Sequence, residues 1–190
     1  MDLQFHPCSP ELFERPLHSE KVVVRCGVVS FGAIGPYFFE DEEGNAATVH
    51  SQRDLHMLRT SLVFELQQRG SPLETTWFQQ DGATAHTARV PMNGLIEMFG
   101  TRVISHRGKV RWPPRSSDLS VCDYFLWGYL KSRVYKDRPR TTADLKNNIR
   151  REIAAISAEV LQRVMRDLPL RLQECADNAG QHLKPTIFKK

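Results

Sequence analysis

The sequence lacks the features that mark membrane, secreted and small metal-binding proteins. No apolar run approaches the roughly 20 residues that a helix needs to cross a bilayer. The N-terminus has neither the basic segment nor the apolar segment of a secretory signal. The four cysteines have no close pairs, and the seven histidines lack metal-ligand spacing. We therefore expect a soluble protein with reduced thiols, in the cytosol or the nucleus, without a membrane partner.

The composition that remains is that of an ordinary globular domain. Hydrophobic residues make up 41% of the 190 positions and charged residues 25%, which predicts one domain with a sizeable core. Strand-like segments lie near 21–29, 33–39, 75–80 and 101–105. Helical periods lie near 51–68, 84–99 and 123–134, and further helices follow from about 141. This order predicts an α/β domain in which the strands form one mixed sheet.

Positive charge is concentrated in one segment, residues 131–151. The net charge of the chain is +4, whereas this segment has eight basic and two acidic side chains. A basic stripe on a near-neutral body is typical of polyanion binders, and a solvated helix face has the same composition. The candidate DNA-binding residues of this basic stripe are Lys131, Arg133, Lys136, Arg138, Arg140, Arg150 and Arg151.

Two aspartates lie at positions where a carboxylate is unusual, one at the end of a predicted strand and one at the start of an apolar helix. Asp81 ends the predicted strand 75–80, and a small, polar, helix-compatible segment follows it in place of a return strand. Asp123 begins a helical segment that is apolar on nearly every side, where a lone buried carboxylate would be costly. Each also has an ordinary role open to it. Asp81 suits a turn or helix cap, and Asp123 suits the first turn of a helix.

A divalent metal is the other explanation for this pair. Mg²⁺ takes oxygen ligands, usually one or two carboxylates together with substrate phosphates. Two such ions about 3.5–4 Å apart can activate the attacking oxygen and stabilise the leaving one in phosphoryl transfer. If Asp81 and Asp123 converge, they can supply ligands for that chemistry. They are therefore the candidate catalytic and metal-binding residues.

Several long motifs resemble the catalytic region of mariner-type transposases. They are ERPLHSEKVVVRCGVVSFGAIGPYFF (14–39), GPYFFEDEEGN (35–45), WFQQDGATAHTA (77–88) and WPPRSSDLSVCDYFLWGYLK (112–131). The resemblance runs from about Glu14 to Phe188. It implies a ribonuclease-H-like fold, in which a mixed sheet is flanked by helices. It also implies a function in cut-and-paste DNA transposition, which cleaves and transfers DNA strands.

The resemblance also assigns roles to individual residues. Members of the family hold two Mg²⁺ or Mn²⁺ ions with three acids, of which Asp81 corresponds to the second and Asp123 to the third. Asp118 has a counterpart five residues before the third acid, and we expect it to fix the loop or cap the helix. His86 also has a counterpart, and we expect it to be structural or close to DNA. The implied setting is the nucleus, with transposon-end DNA as partner and with homo-oligomers or association with an intact transposase.

The N-terminal part departs from the family pattern. The first acid belongs to a first strand well upstream of ERPLHSEK, and only thirteen residues precede Glu14 here. MDLQFHPC (1–8) resembles that strand, with Asp2 as the candidate acid, but the second strand has no counterpart. Arg25 stands where the family usually has tryptophan. We expect one catalytic-type domain over 1–190 with its first strands missing or curtailed, a poorly matching segment 1–13, C-terminal helices in 141–190, and no helix-turn-helix region.

Three functions therefore remain open. The favoured one is a transposase-derived, catalytically incomplete remnant that can still bind DNA. The first alternative is an active metal-dependent nuclease or strand transferase that uses Asp2 as its first acid. The second alternative is an interaction module with a basic face and no enzymatic activity, which the long motifs disfavour.

Overall fold

The structure is a computed structural model that describes residues 20–183. Asp2 lies outside the described residues, so its proposed role as the first acid stays a prediction. The same holds for the rest of segment 1–13 and for residues 184–190.

The first two strands form an antiparallel hairpin. Strand β1 is Val24–Val29 and strand β2 is Gly32–Phe38, and Val29 pairs with Gly32 across the tight turn. Both strands are rich in β-branched and aromatic residues, which suit a pleated, half-buried surface. The register shifts between Arg25 and Gly27, so β1 has an irregularity beside the arginine.

One continuous helical segment follows, over the range that the sequence predicts. It consists of α1 (Ser51–Met57), a π-helical turn (Leu58–Leu62) and α2 (Val63–Gln68). The predicted helix 84–99 is instead divided into α3 (Thr84–Thr87) and α4 (Arg89–Phe99). Pro91 explains the break, because its ring would clash with the Thr87 carbonyl of a continuous helix. In α4 the proline lies in the first turn, where no N–H partner is needed.

A parallel sheet of three short strands carries the Asp81 segment. Its strands are β3 (Phe78–Gln79), β4 (Val103–Ser105) and β5 (Val110–Arg111), in the order β3-β4-β5. The β4–β5 loop passes so close to β4 that a Cβ on Gly108 would lie 2.4 Å from the Val103 carbonyl oxygen. Only glycine fits there. Strand β5 falls in a segment that the sequence indicates as a loop.

Helices complete the C-terminal part. A π-helical turn (Cys122–Leu126) continues into α5 (Trp127–Lys131), and α6 (Thr142–Ala154) and α7 (Ala158–Asp177) follow. The capping box predicted at the start of α6 is present: Thr141 Oγ1 accepts from the Asp144 amide, and Asp144 accepts from the Thr141 amide, both at 3.1 Å. No helix within residues 20–183 is long and apolar enough to span a bilayer.

The hairpin lies between two hydrophobic clusters. Ile34 of β2 packs with Met57, Leu58, Leu95 and Phe99 on one face, as part of the first cluster. The adjacent Ala33 packs with Leu126, Leu130, Leu145 and Ile149 in the second. Consecutive strand residues point to opposite faces, so β2 supplies both clusters at once. The result is an α/β arrangement with helices on both sides of the hairpin.

The single mixed sheet predicted from the sequence is not found within residues 20–183. Strands β1 and β2 form one sheet and β3, β4 and β5 form another, with no strand pairing between them in this part of the chain. Side chains provide the connection between the two sheets.

Candidate active site

Asp81 lies at the carboxyl end of β3. The Gln80 amide donates to the Ile104 carbonyl at 3.0 Å, so the strand pairing continues up to the residue before Asp81. The Asp81 side chain is exposed, and its Oδ1 accepts from the Ala83 amide at 3.1 Å. This contact is the turn-stabilising role that an aspartate often has. The carboxylate is thus held at the sheet edge with its outer side open to solvent.

Asp123 lies in the first turn of the Cys122–Leu126 segment. Its amide donates to the Ser120 carbonyl at 2.9 Å. The sequence predicts a nearly buried carboxylate here, and this prediction is wrong: the residue is exposed, while Leu126 and Leu130 carry the buried face. Partial desolvation still raises the pKa of Asp123, and the negative charge of Asp81 raises it further.

The two carboxylates therefore share one electrostatic environment. The charge of Asp81 affects the pKa values of neighbouring groups, among them those of Asp123, Cys122 and Arg25. Besides its effect on Asp123, its charge contributes to raising the pKa of Cys122 to about 12, mainly an effect of burial. It also opposes the lowering of the pKa of Arg25 to about 10, again caused first by burial. The end of β3, the start of the Cys122–Leu126 turn and Arg25 of β1 are therefore electrostatically coupled.

Arg25 occupies the space between the two sheets. Its guanidinium forms an ion pair with Asp54 of α1, and Nη1 lies 3.1 Å from His86 Nδ1. Nη2 donates to Gln80 Oε1 at 3.4 Å. The Asp54 side chain is fully buried, and that of Arg25 is 17% exposed. An arginine with a pKa of about 10 remains protonated at neutral pH, so the buried carboxylate has a charged partner.

His86 is neutral in this cluster. Burial lowers its pKa to about 4, and the positive charge of Arg25 lowers it further. Because arginine has only donors, Nδ1 of His86 accepts from Arg25. It then cannot donate to Asp54 Oδ2 at 3.2 Å, and this oxygen has no hydrogen-bond partner among the described residues. The contact between His86 and Asp54 is therefore not an ion pair at neutral pH.

Gln80 connects the residues around Asp81. Its Nε2 donates to the His86 carbonyl at 3.0 Å and to Ser105 Oγ at 3.2 Å, and it lies 3.4 Å from Met92 Sδ. Gln80 and Ser105 are both buried. This side chain fixes β3, β4 and α3 relative to one another immediately before the candidate metal ligand.

Asp81 and Asp123 are the side chains of this region that could hold a divalent cation. Asp81 and Asp123 are exposed oxygen donors whose like charges raise the pKa of Asp123, and a cation would relieve that repulsion. No group of three or more His, Cys, Asp or Glu side chains converges as a metal cluster within residues 20–183. Asp54 does not add a third donor, because it is buried and paired with Arg25.

Asp118 has a different task, in line with its expected loop-fixing role. Its Oδ2 accepts from the Leu183 amide at 2.8 Å, and its carbonyl accepts from Arg171 Nε at 2.7 Å. His182 Nδ1 lies 3.4 Å from Asp118 Oδ1. These contacts tie the loop before Asp123 to α7 and to the segment after it.

The basic stripe is partly neutralised by acids of the same chain. Lys146 forms an ion pair with Glu40, and Arg151 lies 2.8 Å from Asp137 and 3.3 Å from Glu152. Arg133 also approaches Glu152, at 3.8 Å, and the Arg150 guanidinium lies 4.9 Å from the centre of the Phe38 ring. Lys131, Lys136 and Arg140 are exposed. The stripe therefore presents less positive charge than its composition indicates.

Comparison with known proteins finds similarity at the level of structure. No family profile matches the sequence, and no curated protein sequence matches it. The Mos1 transposase catalytic domain with raltegravir and Mg aligns with a TM-score of 0.70 and 20% identity, over 86% of this chain and 77% of that one. A related structure of that domain contains Mn, with a TM-score of 0.69.

Larger Mos1 assemblies align as well. The Mos1 mariner paired-end complex with Mn gives a TM-score of 0.74 and 20% identity, over 97% of this chain and 52% of that one. The Mos1 strand transfer complex gives 0.71 and 21%, with 97% and 51% covered. The chain thus spans about half the length of the transposase in these complexes. It has the fold of the mariner transposase catalytic domain, as the sequence motifs predict.

Proposed function

We propose that this chain is a transposase-derived domain that binds DNA and whose described residues provide an incomplete centre for strand cleavage. The observation that carries the proposal is the placement of Asp81 and Asp123 in one electrostatic environment at the carboxyl end of β3, within a mariner-type fold. Exposed carboxylates suit a phosphate backbone that approaches together with a divalent cation.

Asp81 and Asp123 are the residues that would hold Mg²⁺ or Mn²⁺. The ion, when bound, supplies charge neutralisation at a phosphate and a more acidic bound water. The protein's own part is to hold the two carboxylates, Asp81 through the Ala83 amide and Asp123 through its helical turn. Gln80 and Ser105 keep the strand ends in place behind them.

The proposed incompleteness rests on the number of carboxylates. Two metals need bridging carboxylates to offset their charge and to fix their spacing. Within residues 20–183 the only further acid in the cluster, Asp54, is committed to Arg25. We therefore expect one weakly held ion and DNA binding without efficient cleavage. The nucleus and transposon-end DNA remain part of this proposal through the family resemblance.

Plasmid nicking tests the proposal. Purified protein is incubated with supercoiled plasmid and Mg²⁺ or Mn²⁺, alongside Asp81→Ala, Asp2→Ala and, as a control, Asp118→Ala. We expect background nicking from all four proteins, and DNA retardation by all four in a gel without metal. Robust cleavage that is lost in both Asp81→Ala and Asp2→Ala would establish the alternative, an active nuclease with Asp2 as first acid. Absence of any DNA binding would contradict the proposed function itself.

A further inference from the structure

A second basic surface lies beside Asp81, outside the basic stripe. From Met98 to Ser117 the sequence has no acidic residue. Within this segment, four basic side chains are exposed on β5 and its flanking loops: Arg107, Lys109, Arg111 and Arg115. We call these four residues the β5 surface. The sequence does not show the β5 surface as a basic cluster, because apolar and small residues separate its four charged residues.

The parallel sheet brings two residues of the β5 surface, Arg107 and Arg111, to the edge that carries Asp81. Gln79 of β3 pairs with Ile104, which pairs with Val110, and Ser105 pairs with Arg111. Neighbouring strands lie about 4.8 Å apart, so the end of β5 is about 10 Å across the sheet from the end of β3. Arg107 follows the carboxyl end of β4 and so lies at this edge, whereas the loop turns back beside Val103 at Gly108, so Lys109 precedes β5 at its amino end.

The charges of the β5 surface are not neutralised by the protein. Within residues 20–183 no carboxylate forms an ion pair with any of the four side chains, whereas Arg133, Lys146 and Arg151 of the basic stripe all have acidic partners. Unpaired positive charge on an exposed surface is available to an external polyanion. Three of the four residues are arginines, whose planar guanidinium suits phosphate oxygens.

We propose that the β5 surface binds the phosphate backbone of duplex DNA next to Asp81, and that it contributes more to DNA affinity than the basic stripe does. This inference rests on the proposed function. The distance supports it: about 10 Å corresponds to about three nucleotides of rise along one strand. Phosphates on successive nucleotides can therefore reach from Asp81 to Arg107 and Arg111 along this edge. Sequence specificity is not expected, because phosphate contacts carry none directly.

Two matched variants test the proposal. The β5 variant is Arg107→Ala, Lys109→Ala, Arg111→Ala and Arg115→Ala together. The stripe variant is Arg138→Ala, Arg140→Ala, Arg150→Ala and Arg151→Ala together. Each removes four positive charges, so a difference between them reports position and not net charge. Affinity for a short labelled duplex is measured by fluorescence anisotropy over about 50–200 mM salt.

We expect the β5 variant to bind at least about tenfold more weakly at low salt, and its slope of log K against log salt to flatten by about 0.9 for each phosphate that it no longer neutralises. The stripe variant changes less on both measures. The charge-preserving variant Arg107→Lys, Arg111→Lys and Arg115→Lys keeps most of the affinity, and thermal melting verifies that each variant is folded. Equal weakening in the two matched variants, or a larger effect in the stripe variant, would overturn the inference.

A coupling measurement adds a positional readout. Asp81→Asn removes a negative charge near the bound backbone and should strengthen binding in the wild-type and stripe-variant backgrounds, but not in the β5 variant. Additive effects in all three backgrounds would contradict a shared site. If wild-type protein does not bind DNA, the proposed function fails together with the inference. If it binds RNA duplex more tightly than DNA, the chosen partner is wrong.

Discussion

Arg25 of β1 and Asp54 of α1 form a largely buried ion pair that joins the hairpin to the helix. The same guanidinium contacts His86 and Gln80, so a single side chain connects β1 with α1, α3 and the end of β3. Burying both charges is costly, and their mutual attraction with good hydrogen bonding is what offsets the loss of hydration. Removing one partner should therefore be far worse than removing both.

The first prediction concerns this ion pair. Arg25→Met leaves Asp54 buried without a counter-charge and should lower the free energy of unfolding by about 3–5 kcal/mol. The double variant Arg25→Met with Asp54→Leu should recover most of that loss, since no charge remains buried. Urea denaturation measures both. Arg59→Ala is the control, because the Arg59–Glu97 pair is exposed and is worth at most about 1 kcal/mol. A stable Arg25→Met single variant would contradict the prediction.

The second prediction is a loss of stability in mild acid. His86 has an unperturbed pKa of 6.5 and a lowered pKa of about 4 in the fold. Below pH 6.5, His86 binds a proton in the unfolded chain but stays neutral in the folded one. The contribution of His86 to the free energy of unfolding is therefore complete above pH 6.5 and decreases as the pH falls toward 4. The difference amounts to about 3 kcal/mol at about 1.4 kcal/mol per pKa unit.

Melting temperatures between pH 7.5 and pH 4 measure that effect. The raised pKa of Asp123 acts in the opposite direction, because the folded state then holds its proton more tightly than the unfolded chain does. Comparison with His86→Gln isolates the histidine contribution, and its pH profile should be flatter than that of the wild type. Parallel profiles would show that His86 does not titrate as its burial implies.

The third prediction concerns the metal. Mn²⁺ should bind weakly and with a stoichiometry of about one ion, through Asp81 and Asp123. Electron paramagnetic resonance follows the decrease of free Mn²⁺ directly. Asp81→Asn and Asp123→Asn should each abolish binding, whereas Asp118→Asn should leave it unchanged, because Asp118 contacts Leu183 and His182. Two tightly bound ions would show that the centre is more complete than we propose.

The fourth prediction concerns self-association. Within the described part of the chain, β1 pairs only with β2, and β3 pairs only with β4. Strand edges without partners favour pairing with other chains. We expect size-exclusion chromatography with light scattering to detect oligomers whose population increases with concentration. A monomer at all concentrations, with a sharp cooperative melt, would argue that these edges are covered.

Local sequence patterns predicted most elements well. Periodic apolar residues place the helix 51–68 correctly, and the Thr141–Asp144 capping box marks the start of α6. The break at Ala88 was predictable in principle, because Pro91 cannot lie in the interior of a helix that begins at Thr84. Strand β5 was not, because Val110–Arg111 is too short to show alternation and exists only through pairing with β4.

The motifs single out Asp81, Asp123 and the unusual Arg25, and the functional roles of the two aspartates stay predictions. The contacts around these residues depend on tertiary structure and could not be predicted from the sequence. The sequence did not indicate a role for Asp54, because a single acidic residue in an amphipathic helix is common. Only the structure shows that its partner is Arg25. The sequence did not indicate the role of Gln80 either, since its four side-chain contacts come from segments 6, 12, 25 and 55 residues away. Neutralisation of the basic stripe by Glu40 also depends on a contact 106 residues distant in sequence.

The junction between the hairpin and the parallel sheet determines how this protein tolerates substitution. Where two strands are joined through their backbones, one apolar residue can usually replace another, because the hydrogen bonds do not depend on the side chain. Here the joining groups are the guanidinium of Arg25, the carboxylate of Asp54, the imidazole of His86 and the amide of Gln80. A random change at any of the four removes a specific donor or acceptor, so substitutions should accumulate most slowly at this junction and much faster at the exposed positions of α6 and α7.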